Sequence, residues 1–367
     1  EPEPEPEPGP KARWVDEGVG SKPFAGGASP DFADVCVFGC LSAIDRTTAF
    51  GEIMDGQAEP VQIAGLLVAL RAKGETVDEI IAAARALRAR ATTTKAEAPN
   101  TIDVCGTGGS GVDTFNISTT AAFVVAGAGI PVAKHGNRAA TSRSGSFDVL
   151  EALGVNIEIP IESCGKILSE IGIATFFART AHPAFRHVAP VRQQLGVRTL
   201  MNCLGPLLNP AGVQHQIVGV YSQALVEPLA RALAGLGAKR ALVVHGSDGL
   251  DEITTTGPTQ ACSSLDGVVA SFEIHPKDFG LETARAIDLR GGTPAENAEV
   301  LRSIVSGATG PKRDIVVLNA GAAIWIAGGA ANLGEGVERA SESLASGAAA
   351  AKLEALIRAT VKAGAAV

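Results

Sequence analysis

At 367 residues, 46% of them hydrophobic and 19% charged, the chain is long enough for two domains and a large buried core. Its formal net charge of −8 argues against a general nucleic-acid coat, because phosphate backbones repel an acidic surface, but leaves room for a small basic pocket. No apolar run reaches the ~18 residues of a membrane span, so neither a nucleic-acid nor a membrane partner is expected.

The chain opens on EPEPEPEPGP. Alternating Glu and Pro removes backbone donors and adds self-repulsion, so residues 1–35 read as a disordered acidic, Pro- and Gly-rich tail. No signal-peptide pattern is visible. The start at Glu1 instead of Met is expected of a processed chain or a piece of a longer product. The cysteines, at 36, 40, 105, 164, 203 and 262, lack zinc spacing and read as reduced thiols of a cytoplasmic compartment; a plastid remains open if the chain is processed.

Helical signals follow. Phe50, Ile53 and Met54 share one face and Gly56 stops that helix. Pro60 opens VQIAGLLVALRAK, which ends at Gly74, and Thr76-Val77-Asp78-Glu79 is a capping box leading into IIAAARALRAR. After Pro99 the pattern changes. TIDVC, IPVAK, ATFFA, QIVGVY, RALVVHG and DIVVLNA read as short strands, with helix-like TTAAFVVAGA, SFDVLEALG, ESCGKILSEIG and ALVEPLARALAGLG between most of them. This alternation predicts an α/β fold: a mostly parallel central sheet flanked by helices, plus a small all-helical domain. The stretch from His182 to Pro210 interrupts it as a helical insertion. The expected domains are 36–98 with 183–212 (helical) and 99–182 with 213–367 (α/β).

Four constellations carry chemistry. The first is CGTGGSGVDTFNIS, residues 105–118, after the first predicted strand. Gly106–Gly111 fits the dinucleotide-binding fingerprint, but the context does not. VDTFN separates the glycines from the expected helix start at Ser118-Thr119, and the second strand ends in Lys134 where a ribose-binding acid belongs. No Gly-Lys-Ser/Thr follows either. Backbone N–H groups, the helix N-terminus and Lys134 would converge on a phosphate; a plain strand-to-helix turn is the alternative. The second loop is dense in donors: Lys134, His135, Asn137, Arg138, Thr141, Ser142, Arg143, Ser144 and Ser146. A solvated loop could look the same. Third, Asp251-Glu252 at a strand end suits magnesium, or is a surface turn. Fourth, Arg192 can grip a carboxylate with its fork, or lie on the surface. Together they imply a magnesium-bound polyphosphate and a second, carboxylate-bearing substrate. His135 and His182 are expected to line the site; the other histidines read as structural.

At these residues the sequence resembles the anthranilate phosphoribosyltransferases. GTGGSGVDTFNIST, VAKHGNRAATSRSGSFDVLEALGV, HPAFRHVAPVRQQLGVRTLMNCLGPLLNPAG and VVHGSDGLDEITTT carry the resemblance, with EIMDGQAEPVQIAGLLVALRAKGET at the helical start. It covers about residues 41–365. It implies transfer of the phosphoribosyl group of phosphoribosyl diphosphate to anthranilate, with Mg2+, in tryptophan biosynthesis, by a homodimer joined through the helical domain. By resemblance Gly106, Gly109, Ser110, Thr114, Asn116, Ile117, Ser118 and Thr119 contact the diphosphate, and Ser118 also reaches a metal. Lys134, His135, Gly136, Asn137, Arg138, Ala139, Ala140, Thr141 and Ser142 form the second phosphate loop. Asn137, Ser146 and Arg192 meet anthranilate, and Asp251 and Glu252 hold the other magnesium. Lys134, Asn137 and Arg192 are the expected catalytic residues. Ser110 stands where the family usually has Asp, Thr141 replaces a usual Ser, and Phe185 a usual Tyr or Met. A pyrimidine nucleoside phosphorylase, or a non-enzymatic nucleic-acid-binding relative of the fold, are the alternatives.

Overall fold

The computed structural model describes residues 43–139 and 143–365. The Glu-Pro tail, Cys36, Cys40, Ala140, Thr141 and Ser142 lie outside them. The chain forms two compact units: one runs to Arg90 and includes Ala184–Leu200, the other holds Ala91–Pro183 and Met201–Val367.

The first unit is helical: α1 (Ala43–Met54), α2 (Pro60–Lys73), α3 (Val77–Arg88) and a shorter helix, Ala189–Leu195. Pro60 sits in the first turn of α2, where its missing N–H costs nothing. Thr76 caps α3, accepting from the Glu79 N–H at 3.3 Å, while the Glu79 carboxylate accepts from the Thr76 N–H at 2.9 Å. Phe50, Ile53, Ile63, Leu67 and Ile80 form the core of this unit. α1 packs on α3, and α2 on the helix Ala189–Leu195.

The second unit is a seven-stranded sheet in the order β3-β2-β1-β4-β5-β6-β7. Its strands are β1 (Ile102–Gly106), β2 (Val132–Gly136), β3 (Ile173–Phe177), β4 (His215–Gly219), β5 (Arg240–Gly246), β6 (Thr259–Leu265) and β7 (Val268–Ile274). The first five are parallel; β6 and β7 continue antiparallel. The covering helices are α4 (Ile117–Gly127), α5 (Ser146–Ala152), α6 (Ile161–Ile171), α7 (Val226–Gly235), α8 (Pro294–Val305), α9 (Pro311–Ile326), α10 (Leu333–Ala345) and α11 (Ala348–Gly364). The chain reverses its strand order beside β1, which leads to one neighbour, β2, and returns to the other, β4. Loops after β1 and β4 therefore diverge at the carboxyl ends of adjacent strands, where open α/β sheets bind ligands.

Two expectations need correction. DIVVLNA is not a strand but the first half of α9, a 16-residue helix opened by Pro311. It is apolar because it is covered on several sides, packing against α10 and α4. Residues 91–98 and 201–212, expected with the helical domain, belong to the sheet unit. Polar ties hold the latter there: Asn209 Nδ2 donates to the Ala133 carbonyl and Gln216 Nε2 to the Pro206 carbonyl, each at 2.8 Å. Among the described residues no helix is long and apolar enough to cross a membrane.

Candidate active site

The glycine loop leaves β1 at Gly106 and enters α4 at Ile117, with Asn116 as N-cap. Gly108, Gly109 and Gly111 all have left-handed φ, at 68°, 73° and 78°, which residues with a Cβ adopt reluctantly. Ser110, between them, uses its Oγ to accept from the Val112 N–H at 3.4 Å. Thr114 forms a β-bridge with Arg290.

The turn after β5 brings Asp251 and Glu252 to this loop. Asp251 Oδ2 accepts from the Gly108 N–H at 2.8 Å, and Glu252 Oε1 from the Ser118 N–H at 3.1 Å. The approach needs glycine: a Cβ on Gly106 would stand 2.6 Å from Asp251 Oδ2, and one on Gly219 would stand 1.7 Å from the Asp251 carbonyl oxygen. Asp248 sets the turn, its Oδ2 accepting from the hydroxyls of Thr254 at 2.8 Å and Thr256 at 2.7 Å. Burial pushes Glu252 up to about 8, and the neighbouring Asp251 charge adds to this, against Lys134 and Ser118. Two adjacent carboxylates, one of them buried and loath to ionise, suit a small hard cation that completes its shell with water and phosphate oxygens. Ser118 stands beside them in the first turn of α4.

Lys134 lies deeper than the loops. It is only 2% exposed, and its Nζ donates to the Val104 carbonyl at 2.8 Å. Burial lowers its pKa, against the charges of Asp103 and Glu252. His135 and His182 face each other, Nε2 to Nε2 at 3.2 Å, with both rings buried. Burial pulls His135 down to about 3 and His182 to about 4. Their side chains are thus inside the sheet unit instead of lining an open site.

The second loop begins at Gly136, where a Cβ would come within 2.6 Å of Ser146 Oγ. Ser146 Oγ donates to the Asn137 carbonyl at 3.2 Å, so these two residues meet. Arg138 turns to Glu151, at 3.0 Å. Asp148 closes the loop's base: its Oδ2 accepts from the N–H groups of Ala139 at 2.8 Å and Gly145 at 2.9 Å. Asp148 and Asp248 were not visible as site residues in the sequence. An acid in the first turn after Gly145-Ser146 was the signal for Asp148. Arg192 belongs to the helical unit, on the helix Ala189–Leu195. Burial lowers its pKa, and no carboxylate pairs with it among the described residues.

A mostly parallel sheet with hydroxyl- and glycine-rich loops and a carboxylate pair at a helix N-terminus defines an enzyme that handles a phosphorylated, cation-bound substrate. The models of the glycosyl transferase family match both parts of the chain, the helical bundle domain at residues 41–91 and the a/b domain at 98–350. An anthranilate phosphoribosyltransferase of Rhodospirillum rubrum is 54% identical over 317 residues, covering 86% of this chain and 91% of that protein. The crystal structure of the enzyme of that name from Thermus thermophilus superposes with a TM-score of 0.86 at 44% identity, covering 90% of this chain and 99% of the other. The Saccharomyces cerevisiae enzyme, in complex with phosphoribosyl diphosphate and Mg, gives 0.81 at 31% identity, covering 88% and 94%. The chain belongs to the anthranilate phosphoribosyltransferase family.

Proposed function

We propose that the protein transfers the phosphoribosyl group of phosphoribosyl diphosphate to the amino group of anthranilate, releasing pyrophosphate, in tryptophan biosynthesis. One observation carries the reading: Asp251, Glu252 and the N-terminus of α4 converge at the ends of β1 and β4. The named relatives favour it over a nucleoside phosphorylase.

The glycine loop and the second loop receive the diphosphate. The positive end of the α4 dipole and the side-chain-free backbone of the glycine loop receive it. Gly109, Ser110, Thr114, Asn116, Ile117, Ser118 and Thr119 line one side, and Gly136, Asn137, Arg138 and Ala139 the other. Asp251, Glu252 and Ser118 are the residues that would hold Mg2+. Bound there, the ion supplies charge neutralisation for a diphosphate leaving group. Lys134, a buried cation beneath the strand ends, adds a fixed positive field. Asn137 and Ser146 orient the anthranilate ring and amine, and Arg192 receives its carboxylate. The Arg192 guanidinium is desolvated and has no carboxylate partner among the described residues, which suits an incoming anion. An aromatic amine is largely unprotonated at neutral pH, so the chain need supply no strong base. Catalysis is positional and electrostatic.

We also propose a homodimer through the helical unit. The four described cysteines are free and buried, as suits a reducing compartment such as the cytoplasm.

Anthranilate fluorescence tests the activity. It should fall with time only when phosphoribosyl diphosphate and Mg2+ are both present, with one pyrophosphate released per anthranilate consumed. Persistent fluorescence with all components present overturns the reading.

A further inference from the structure

Asn116 is the N-cap of α4, and asparagine there ordinarily accepts from an N–H of its own first turn. Here its side chain makes no such bond. Asn116 Oδ1 accepts instead from Asn297 Nδ2 at 3.0 Å and from Ser144 Oγ at 3.3 Å, and its Nδ2 donates to the Ser144 carbonyl at 3.4 Å. The first-turn Ser118 N–H is left to Glu252.

Asn297 is only 2% exposed and lies on α8. Its Oδ1 accepts from the Gly292 N–H at 2.8 Å. That N–H can only donate, so it fixes which end of the Asn297 amide faces Asn116. The rest of the segment is tied to the same loop. The Phe115 N–H donates to the Leu289 carbonyl at 3.3 Å and the Gly291 N–H to the Asp113 carbonyl at 3.2 Å. Gly291 approaches so closely that a Cβ there would stand 2.4 Å from the Thr114 carbonyl oxygen. The turn before α8 therefore forms a fixed wall behind the glycine loop, and Asn297 is the side chain that reaches from it to the N-cap.

We propose that Asn297 is a positioning residue for the phosphate site. By holding Asn116 against Ser144, it keeps Asn116 off its own helix, leaves the Ser118 N–H to Glu252, and fixes the glycine loop against the second loop, where the diphosphate is received. Asn297 itself touches no substrate. The inference rests on the assignment of phosphoribosyl diphosphate to these loops.

Without this brace Asn116 is free to rotate inward and cap α4. The helix then loses little, while Glu252 loses the Ser118 N–H and the two phosphate loops lose the tie that holds them together. A merely structural asparagine would show the reverse, lost stability with intact substrate affinity. Steady-state kinetics of Asn297→Ala should show the KM for phosphoribosyl diphosphate raised about tenfold, the size of one lost hydrogen bond to a charged group, with the anthranilate KM within twofold of wild type. Ser343→Ala is the control. It removes a buried bond from Ser343 Oγ to the Val124 carbonyl, 2.8 Å long, and should leave both KM values unchanged.

Asn297→Asp is nearly isosteric and serves if the alanine variant does not fold. Its carboxylate still accepts from Gly292 but sets lone pairs against Asn116 Oδ1. Protonated, it becomes a donor again. Its KM defect should therefore shrink as pH is lowered, relative to wild type at each pH. The inference is overturned if the Asp variant binds phosphoribosyl diphosphate with Mg2+ as wild type does, or if both KM values rise together, or if Ser343→Ala gives the same rise. Calorimetry of wild type with phosphoribosyl diphosphate and Mg2+ separates the two levels. No binding there removes the site assignment itself; binding that is unchanged in the variants removes only the role of Asn297.

Discussion

In the proposed assignment Arg192 receives the anthranilate carboxylate, and so makes the sharpest test among single residues. A guanidinium matches a carboxylate with two parallel hydrogen bonds, a geometry that neither alanine nor lysine reproduces. Arg192→Ala should raise the anthranilate KM by at least tenfold, since a charge-assisted bond contributes roughly 1.5–3 kcal/mol, and leave that for phosphoribosyl diphosphate nearly unchanged. An unchanged anthranilate KM in steady-state kinetics would sink the assigned role. Residue environment was not legible in the sequence here. Lys134, read as the end of the second strand at the head of a run of donors, KHGNRAATSR, is buried, with its Nζ bonded to the Val104 carbonyl. His135, its neighbour in the same run, faces His182 across 3.2 Å inside the unit. A strand alternates its side chains between two faces, and when both are covered, polar and apolar positions are buried alike. Charge in the sequence then says nothing about exposure.

At the scale of elements, α2 has a face its own unit does not use. Leu66, Leu67 and Leu70 are buried, whereas Val61 is 69% and Val68 43% exposed, in line with exposed Gly65 and Ala72. These four recur at helical spacing without a charge, so the helix is apolar nearly all round, as a helix buried on both sides would be. The proposed homodimer gives that face a partner: a second copy of α2, related by a two-fold axis. Sedimentation of the wild type should give twice the chain mass at micromolar concentration, and Val61→Glu with Val68→Glu should give the chain mass. A monomeric wild type, or a double variant that still sediments as a dimer, refutes the interface. The elements themselves were read unevenly. Helices with caps, such as α2 and α3, were legible because Pro60 and the Thr76–Glu79 box mark their starts. DIVVLNA was misread because a short apolar run has no period of its own and only its 16-residue length, seen in the fold, identifies a helix. β6 and β7 were passed over although Asp266-Gly267 joins them, both at positive φ (49° and 89°), the signature of a two-residue hairpin turn.

For the whole molecule, the buried histidines make stability depend on acid. Both are neutral in the fold, His135 held down to about 3 and His182 to about 4, against about 6.5 in an unfolded chain. Between about pH 6.5 and 4 the unfolded state therefore binds up to two more protons than the fold at these sites. Stability from this pair is fully present above pH 6.5 and is lost as pH falls, by up to ~2.7 kcal/mol per pH unit once both unfolded histidines are charged. Asp103 and Glu252 act in the opposite sense. Burial raises both, Glu252 to about 8, so the fold retains protons there that the unfolded chain releases, and their contribution declines as pH rises above the ordinary carboxylate range. The wild-type profile sums these terms, so the histidine share is best read as a difference. His182→Gln keeps a polar side chain opposite His135 but cannot take up a proton when the chain unfolds. Urea unfolding between pH 7 and 5 should show the variant losing stability less steeply than wild type, by up to ~1.4 kcal/mol per pH unit, even if it starts less stable at pH 7. Parallel profiles would mean that His182 is already charged in the fold, and the neutral pair beneath the phosphate loops would have to be abandoned.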